Sequence, residues 1–505
     1  MVGIATVSGR APRGNLELAQ AEAPEFEYVN WRKQPNMMKL YFWCIILCVA
    51  SATTGYDGMM MNNSQNMTYW NSHFNTPDGS RLGLMSNAYN LGSIGSFFIV
   101  PYIADWFGRR IPIAVGCIIM IVGGIISTFG KDWQTYLAGR LILGFGNSMA
   151  QIFTSVYNCL WNLGALISSL IAFGCQYIPN NWSWKTVTLL QIFPSVIQLA
   201  FIWWIPESPR WLINKDRAEE ALQMLAYYHA AGDENNATVQ FEFREIKETM
   251  RLEKAADKGS SYIEFLKTKG NRWRLAILIS LGIISQYSGN ALFSNYSKLI
   301  YEGAGITGAG QGLGLNIGQT SLSLIVSIYA ATLVDKVGRR RLFLIGTTGM
   351  VVMFTLWTIT SAVYENSGNT NTSAGIVQIP IIWIFGIFYA ISWSGLLVAY
   401  ALEILPSVSE PRAILAIGNQ TNPMAWKNLP KHWNFTLFYT IWITLELIFV
   451  YFVYVETKGP TLEEIAKIFD GEDAVAHIDI NEVEKEAYVA HHEEKMLPTE
   501  TVTRV

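Results

Sequence analysis

Long apolar runs, broken by short polar turns, occupy most of this chain. They fall near residues 40–60, 84–104, 111–130, 134–155, 157–178 and 186–205. A second set falls near 273–297, 312–334, 341–363, 379–405, 412–427 and 434–455. A helix rises ~1.5 Å per residue, so a run of ~20 residues crosses a hydrocarbon core of ~30 Å. The pattern predicts an all-α membrane protein: six spans, a charged insert at 206–272, then six more spans.

Two polar turns match each other. Ala104-Asp105-Trp106-Phe107-Gly108-Arg109-Arg110 follows the second span, and Val334-Asp335-Lys336-Val337-Gly338-Arg339-Arg340 follows the eighth. They hold corresponding places in two halves, so the chain carries an internal repeat. A two-fold repeat of membrane helices is the plan of a transporter. Lys and Arg crowd both turns and the insert, which puts all three on the cytoplasmic side. The layout expected is a cytoplasmic tail at 1–38, a six-helix bundle at 39–205 and a cytoplasmic helical linker at 206–272. A second bundle at 273–456 and a cytoplasmic tail at 457–505 follow. Within the linker, Ala218 to Tyr228 and Phe241 to Lys254 have helical periodicity. The acidic stretch from 470 is expected to be disordered. Residues 1–38 lack the apolar core of a cleavable signal, so the first span is expected to target the chain.

Composition narrows the class. The chain is 51% apolar and 15% charged, too apolar for a soluble multidomain enzyme. No basic stripe with interleaved aromatics points to nucleic acid; the lipid bilayer is the expected surrounding. The cysteines sit mostly in apolar runs (Cys44, Cys48, Cys117), without metal spacing. No nucleophile–base pair, phosphate loop or metal cluster suggests catalysis or a cofactor. Glycosylation sequons at Asn62, Asn66, Asn181, Asn371 and Asn434 are expected in outside loops. Those at Asn236, Asn295 and Asn419 are expected to be unused.

Polar residues inside the spans are the candidate chemistry. Asp57 lies deep in the first span and Arg140 in the fourth, at similar depth. An ionised carboxylate there costs roughly 2.5–3.5 kcal/mol unless it is paired or faces water, so the two are expected to pair. A nearby cation favours the ionised form and desolvation the neutral one, so rearrangement loads and unloads a proton. The alternative is a static ion pair. Gln286 and Asn290, four apart in the seventh span, are expected to share one helix face. Their amides donate and accept without charge, which suits a hydroxyl-rich solute; the alternative is interhelical hydrogen bonding. Trp393 either stacks on the face of a bound ring, packs or anchors at the interface.

The ordered motifs resemble one family. They are Gly55-Tyr56-Asp57-Gly58, the two D-x-x-G-R-R turns, and Gly139-Arg140 followed by Gly144-Phe145-Gly146. Pro206-Glu207-Ser208-Pro209-Arg210-Trp211-Leu212 and Gln286-Tyr287-Ser288-Gly289-Asn290 come next. Glu403-Ile404-Leu405-Pro406 and Val455-Glu456-Thr457-Lys458-Gly459-Pro460-Thr461-Leu462-Glu463-Glu464 complete the set. Over roughly residues 40–470 the chain resembles the sugar porter family of the major facilitator superfamily, especially fungal lactose-permease-like and hexose-transporter-like members. The resemblance implies twelve transmembrane helices in two six-helix bundles, the major facilitator fold. It implies transport of a hexose or disaccharide across the plasma membrane, by proton symport with alternating access and no cofactor. Asp57 then takes the proton and Arg140 tunes it. Gln286 matches a sugar-contacting glutamine, and Asn290 lies one residue before the family's asparagine position, here Ala291. Asn158 matches a fifth-span sugar amide, and Asn295 and Tyr296 stand at the outer gate. Asp105, Gly108, Arg109, Arg110, Asp335, Gly338, Arg339 and Arg340 form a cytoplasmic gate with Glu207, Arg210, Glu403, Arg412 and Glu456, held by ion pairs.

The chain departs from the family in two places. The loop between the fourth and fifth spans is missing near 147–156, which draws Asn158 toward the cytoplasmic end. Near 407–415, Glu410 stands where the family has arginine, with Arg412 the nearest substitute. The eleventh span, Ala413 to Trp426, falls short of the ~20 residues of a crossing. Both read as deletions, and weak transport is expected. The alternative function is a sugar sensor or a non-transporting variant of the same fold.

Overall fold

The computed structural model describes residues 34–97, 99–150, 158–257, 269–394, 396–397, 400, 422–429, 431–458 and 469. Among them the chain is helical throughout. The first half contains α1 (Pro35–Asn66), α2 (Thr68–His73), α3 (Gly79–Phe97), α4 (Val100–Phe107), α5 (Arg110–Phe129), α6 (Trp133–Ala150), α7 (Asn158–Cys175), α8 (Trp182–Leu190) and α9 (Phe193–Phe201). The insert forms α10 (Pro209–Asn214), α11 (Ala218–His229) and α12 (Ala237–Asp257). The second half contains α13 (Lys269–Tyr287), α14 (Asn290–Gly303), α15 (Ala309–Val337), α16 (Arg339–Asn366), α17 (Thr372–Tyr389) and α18 (Trp433–Val453). Each predicted span except the eleventh has its helix or broken helix here. The eleventh, near 412–427, lies mostly outside the described residues.

Lipid-facing stripes mark the spans. On α5, Ile118, Val122, Ile125 and Phe129 are exposed at helical spacing, as are Phe438, Ile441, Leu445, Ile448 and Phe452 on α18. Apolar side chains left outward on long apolar helices fit a hydrocarbon solvent.

Glycines set the closest crossings in the first half. A Cβ on Gly55 of α1 would lie 1.9 Å from the Trp161 carbonyl oxygen, and one on Gly164 of α7 would lie 1.9 Å from that of Ala52. The crossing of α3 and α6 repeats this: Gly92 meets the Leu141 oxygen at 1.9 Å and Gly144 that of Tyr89 at 1.8 Å. Without a hydrophobic force between helices in lipid, such backbone contact is what holds them. The halves meet where α7 packs on α15 and α1 on α14.

The insert packs as a small unit around Leu212, Ile213 and Ala221. It touches the start of α1, where Asn36 donates to the Tyr227 carbonyl (2.9 Å) and Lys39 to its hydroxyl (3.1 Å).

One expectation is corrected. Asn62 and Asn66 were expected in an outside loop, but both lie within α1 and are buried. An unbroken helix carries five polar residues here because the opposite half supplies partners to Asn62, Asn63 and Gln65, while Ser64 and Asn66 bond back within the helix. Neither Asn62 nor Asn66 is a surface sequon. Asn181 and Asn371 are exposed at helix N-termini.

Candidate functional site

The polar end of α1, Asn62-Asn63-Ser64-Gln65-Asn66, needs hydrogen-bond partners because it is buried. It finds them across the halves. Asn62 donates to the Phe293 carbonyl (3.2 Å) and accepts from the Ser297 N–H (3.1 Å) and hydroxyl (2.8 Å). Gln65 donates to the Asn295 carbonyl at 2.7 Å. Asn316 donates to Asn63 at 2.9 Å and accepts from the Tyr301 hydroxyl at 3.2 Å. Lys427 and Asp78 close the rim at 2.7 Å. This seam lies at the end away from the Gly-Arg-Arg turns.

Just before the seam on α1 sits Asp57. It is fully buried, and neither carboxylate oxygen has a hydrogen-bond partner. Arg140 of α6 is also buried, with Nε and Nη1 unpartnered and its guanidinium 5.3 Å from the Tyr89 ring centroid. Tyr136, one turn earlier on α6, lies near both. The expected Asp57–Arg140 ion pair is therefore not made. Equal depth did not suffice: α6 is packed between α3 and α5 and α1 lies against α7, so Arg140 turns to Tyr89 on α3.

The seventh span is broken. Between α13 and α14, Gly289 has φ +91° and approaches the Phe354 ring, where a Cβ would be 2.4 Å from Cζ. Gln286 and Asn290 therefore do not share the face of one continuous helix, which corrects the expectation. Both remain partly buried; Gln286 makes a long bond to Ser285 (3.4 Å), and Asn290 accepts a long one from Ser294 (3.5 Å) and lies against the Tyr389 hydroxyl. Contacts that long leave amides available for stronger ones. The Tyr389 hydroxyl donates to the Ser285 carbonyl at 2.9 Å and lies beside Asn290. Tyr296 is fully buried at a kink in α14 (φ −137°, ψ 35°). Asn295 donates to Ala291 on its own helix at 3.1 Å and joins the seam through its carbonyl.

Trp393 is not a stacking platform here. It is buried in a π-helical stretch (Ala390–Ser394), donates to Thr347 at 3.2 Å and packs on Phe343 at a centroid distance of 4.8 Å. Asn158 is the first residue of α7, at a helix end as the short connection predicts; its side chain lies outside the described residues. One turn on, Asn162 is buried and donates to Ser327 of α15 across the halves at 2.9 Å. The sequence reading missed it, although an amide one turn deeper in the same span was the available signal. It also missed Glu446, the single charged residue of α18, buried with both oxygens unpartnered.

The repeated turns are built alike. Glu207 accepts from the backbone N–H groups of Arg109 (2.7 Å) and Arg110 (3.4 Å). Glu456 accepts from that of Arg339 at 2.8 Å. What these carboxylates grip here is backbone at a helix N-terminus, where negative charge is favoured. Gly108 (φ +85°) and Gly338 (φ +104°) make room, since a Cβ on either would lie 2.7 Å from the clasping carboxylate. Arg340 donates to the Tyr451 carbonyl at 2.8 Å. Asp105 is exposed, its carbonyl accepting from the Trp211 indole (3.1 Å), and Arg210 is exposed on α10. The Asp335 side chain, Glu403 and Arg412 lie outside the described residues.

Gly338→Ala should therefore destabilise the protein by about 1–3 kcal/mol, the usual range for a backbone forced into a glycine-only region. Thermal unfolding in detergent measures it. Adding Glu456→Ala should recover part of the loss, because the two faults share one contact; strict additivity would contradict the clasp.

With this geometry in hand, the comparisons are unambiguous about class. Residues 43–469 match the family described as sugar (and other) transporter, and the chain belongs to it. It is a multi-pass membrane transporter, not an enzyme. The high-affinity glucose transporter of Kluyveromyces lactis is 27% identical over 490 residues, covering 88% of each chain. The quinate permease of Neurospora terricola is 24% identical over 492 residues, covering 86% of this chain and 91% of its own. Among solved structures, the xylose transporter XylE from E. coli in a partially occluded inward-open conformation superposes with a TM-score of 0.67. It is 18% identical and covers 81% of this chain and 98% of its own. The similarity fixes the major facilitator fold.

Proposed function

We propose that this chain moves a hexose or disaccharide across a plasma membrane by proton symport and alternating access. The observation that carries the reading is Asp57, a buried carboxylate without a partner, next to the seam between the halves. Such a group is stable as the neutral acid and needs water or a cation to ionise. Arg140, buried on α6 without a direct contact to Asp57, is the cation within reach of a rearrangement. Gln286 and Asn290, flanking the break in the seventh span, supply sugar contacts, with Asn158, Asn295 and Tyr296 at the approaches. The clasped turns form the gate at the other end: Asp105, Arg109, Arg110, Arg210, Asp335, Arg339 and Arg340 with Glu207, Glu403, Arg412 and Glu456. The excess of Lys and Arg there puts that gate, the linker and both tails in the cytoplasm. The bonded seam then closes the outer side. Glucose and quinate, for which two of the relatives are named, are both polyhydroxylated rings.

Radiolabelled D-glucose uptake in a host lacking its own sugar transporters tests this. Accumulation that collapses with a protonophore is expected. A companion chain with the connections at 147–156 and 407–415 lengthened to family dimensions should take up more. No uptake by either, at normal surface levels, would favour a sensor over a transporter.

A further inference from the structure

Among the described residues, Asp57 and Glu446 are the two fully buried carboxylates, one in each half. The symport reading uses only the first. Glu446 lies on the inward stripe of α18 with Tyr439, Ile443 and Val450, while the opposite stripe faces lipid. Neither of its oxygens has a partner at full hydrogen-bond geometry; the nearest donor is the indole N–H of Trp442, one turn away on the same helix. Among the described residues no cation pairs with it. The titratable groups around it are phenols: Tyr439 on α18, Tyr389 at the end of α17 and Tyr454 beyond α18, with Tyr287 of α13 beside Tyr439. α16, packed along α18, carries its charged residues only at its two ends, and α13 carries them only at its start.

An unpaired carboxylate in such surroundings rests as the neutral acid. A structural role asks nothing more of it than an apolar side chain would give. Its neighbours suggest a different use. Tyr287, the last residue of α13 before the Gly289 break, packs on Trp442 at a ring-centroid distance of 6.3 Å, and the Tyr389 hydroxyl bonds the Ser285 carbonyl on the same side of the break. A sugar bound at the break would act on Tyr287 and, through Trp442, on the surroundings of the carboxyl group.

We propose that Glu446 is a second proton-binding site, in the C-terminal half, whose occupancy changes when sugar binds at the seventh-span break. The proton is taken from and returned to water reaching the site, onto and off a Glu446 oxygen. The proposal rests on the symport reading, and the two fail separately.

The test is infrared difference spectroscopy on the purified full chain, with and without D-glucose. A carbonyl band of a neutral carboxylic acid should change on adding glucose. It should be lost in Glu446→Gln and kept in Asp57→Asn. In proteoliposomes, Glu446→Gln should also move fewer protons per glucose than wild type. Identical carboxylic-acid bands in wild type and Glu446→Gln, or a Glu446 band indifferent to glucose, overturns the proposal. Wild-type uptake that never exceeds equilibrium, or accumulation that survives a protonophore, overturns the symport reading instead and leaves the Glu446 band to be judged on its own. Glutamine has the size and shape of the acid, and the wild-type band is read without any substitution, so a folding defect does not mask the answer.

Discussion

Asp57→Asn should end accumulation of sugar against its gradient while leaving downhill exchange. Asparagine keeps the shape of aspartate and some of its hydrogen bonding but cannot take and release a proton. At this position the carboxylate oxygens have no partner to lose, so the substitution removes little packing or bonding. The effect is therefore expected on coupling and not on stability. Wild-type accumulation should rise as external pH falls, because a higher outside proton activity drives a symporter. The variant should settle near equal inside and outside concentrations at every pH. Labelled D-glucose uptake at matched surface levels, across a range of external pH, is the measurement. A variant that still concentrates sugar, with the wild-type pH profile, would make Asp57 a structural residue.

Gly164→Val should abolish the folded protein. The added Cβ alone would lie 1.9 Å from the Ala52 carbonyl oxygen, which is backbone and cannot swing aside. The helices α1 and α7 would have to part by more than an ångström. Overpacking of this kind costs typically about 1–3 kcal/mol even where side chains can adjust, and here they cannot. Because α7 also packs on α15, the displacement would carry into the contact between the halves. Fluorescence-detected size-exclusion chromatography of the tagged protein should show aggregate in place of a single peak. Gly164→Ala should be milder but still impaired. A normal peak for the valine variant would mean that the crossing is looser than it stands.

Much of the fold was legible because the bilayer leaves little choice. Backbone groups in hydrocarbon must be satisfied within the segment, so each long apolar run among the described residues became a helix or a broken helix. The repeat was legible because both turns need the same glycine conformation above a clasping glutamate. The Gly144 and Gly146 motif was read as wording, and its cause is backbone contact with α3 and α5. What the sequence hid is the rotation of each helix about its axis. Depth along a span put Asp57 beside Arg140, but rotation gave Arg140 to Tyr89. Gly289 fits either a close approach or a break, and it turned out to be both. Asn62 to Asn66 read as a loop because the partners of Asn62, Asn63 and Gln65 in the other half lie over two hundred residues away. Glu446 needed no structure at all; a solitary carboxylate in an apolar span is reason enough to look.

The seam has a consequence for the energetics of opening. Among the described residues most of its bonds join neutral amides, hydroxyls and carbonyls; the charged groups are Lys427 with Asp78, well exposed, and Lys298, which donates to Asn71 at 3.3 Å and pairs with Glu302 on its own helix. Exposed pairs contribute only about 0–1 kcal/mol. Water can replace each neutral bond nearly one for one when the halves separate. The closure should thus behave like a damp zip fastener: indifferent to ionic strength, without a large charge barrier, and quick to answer the binding energy of a single small ligand.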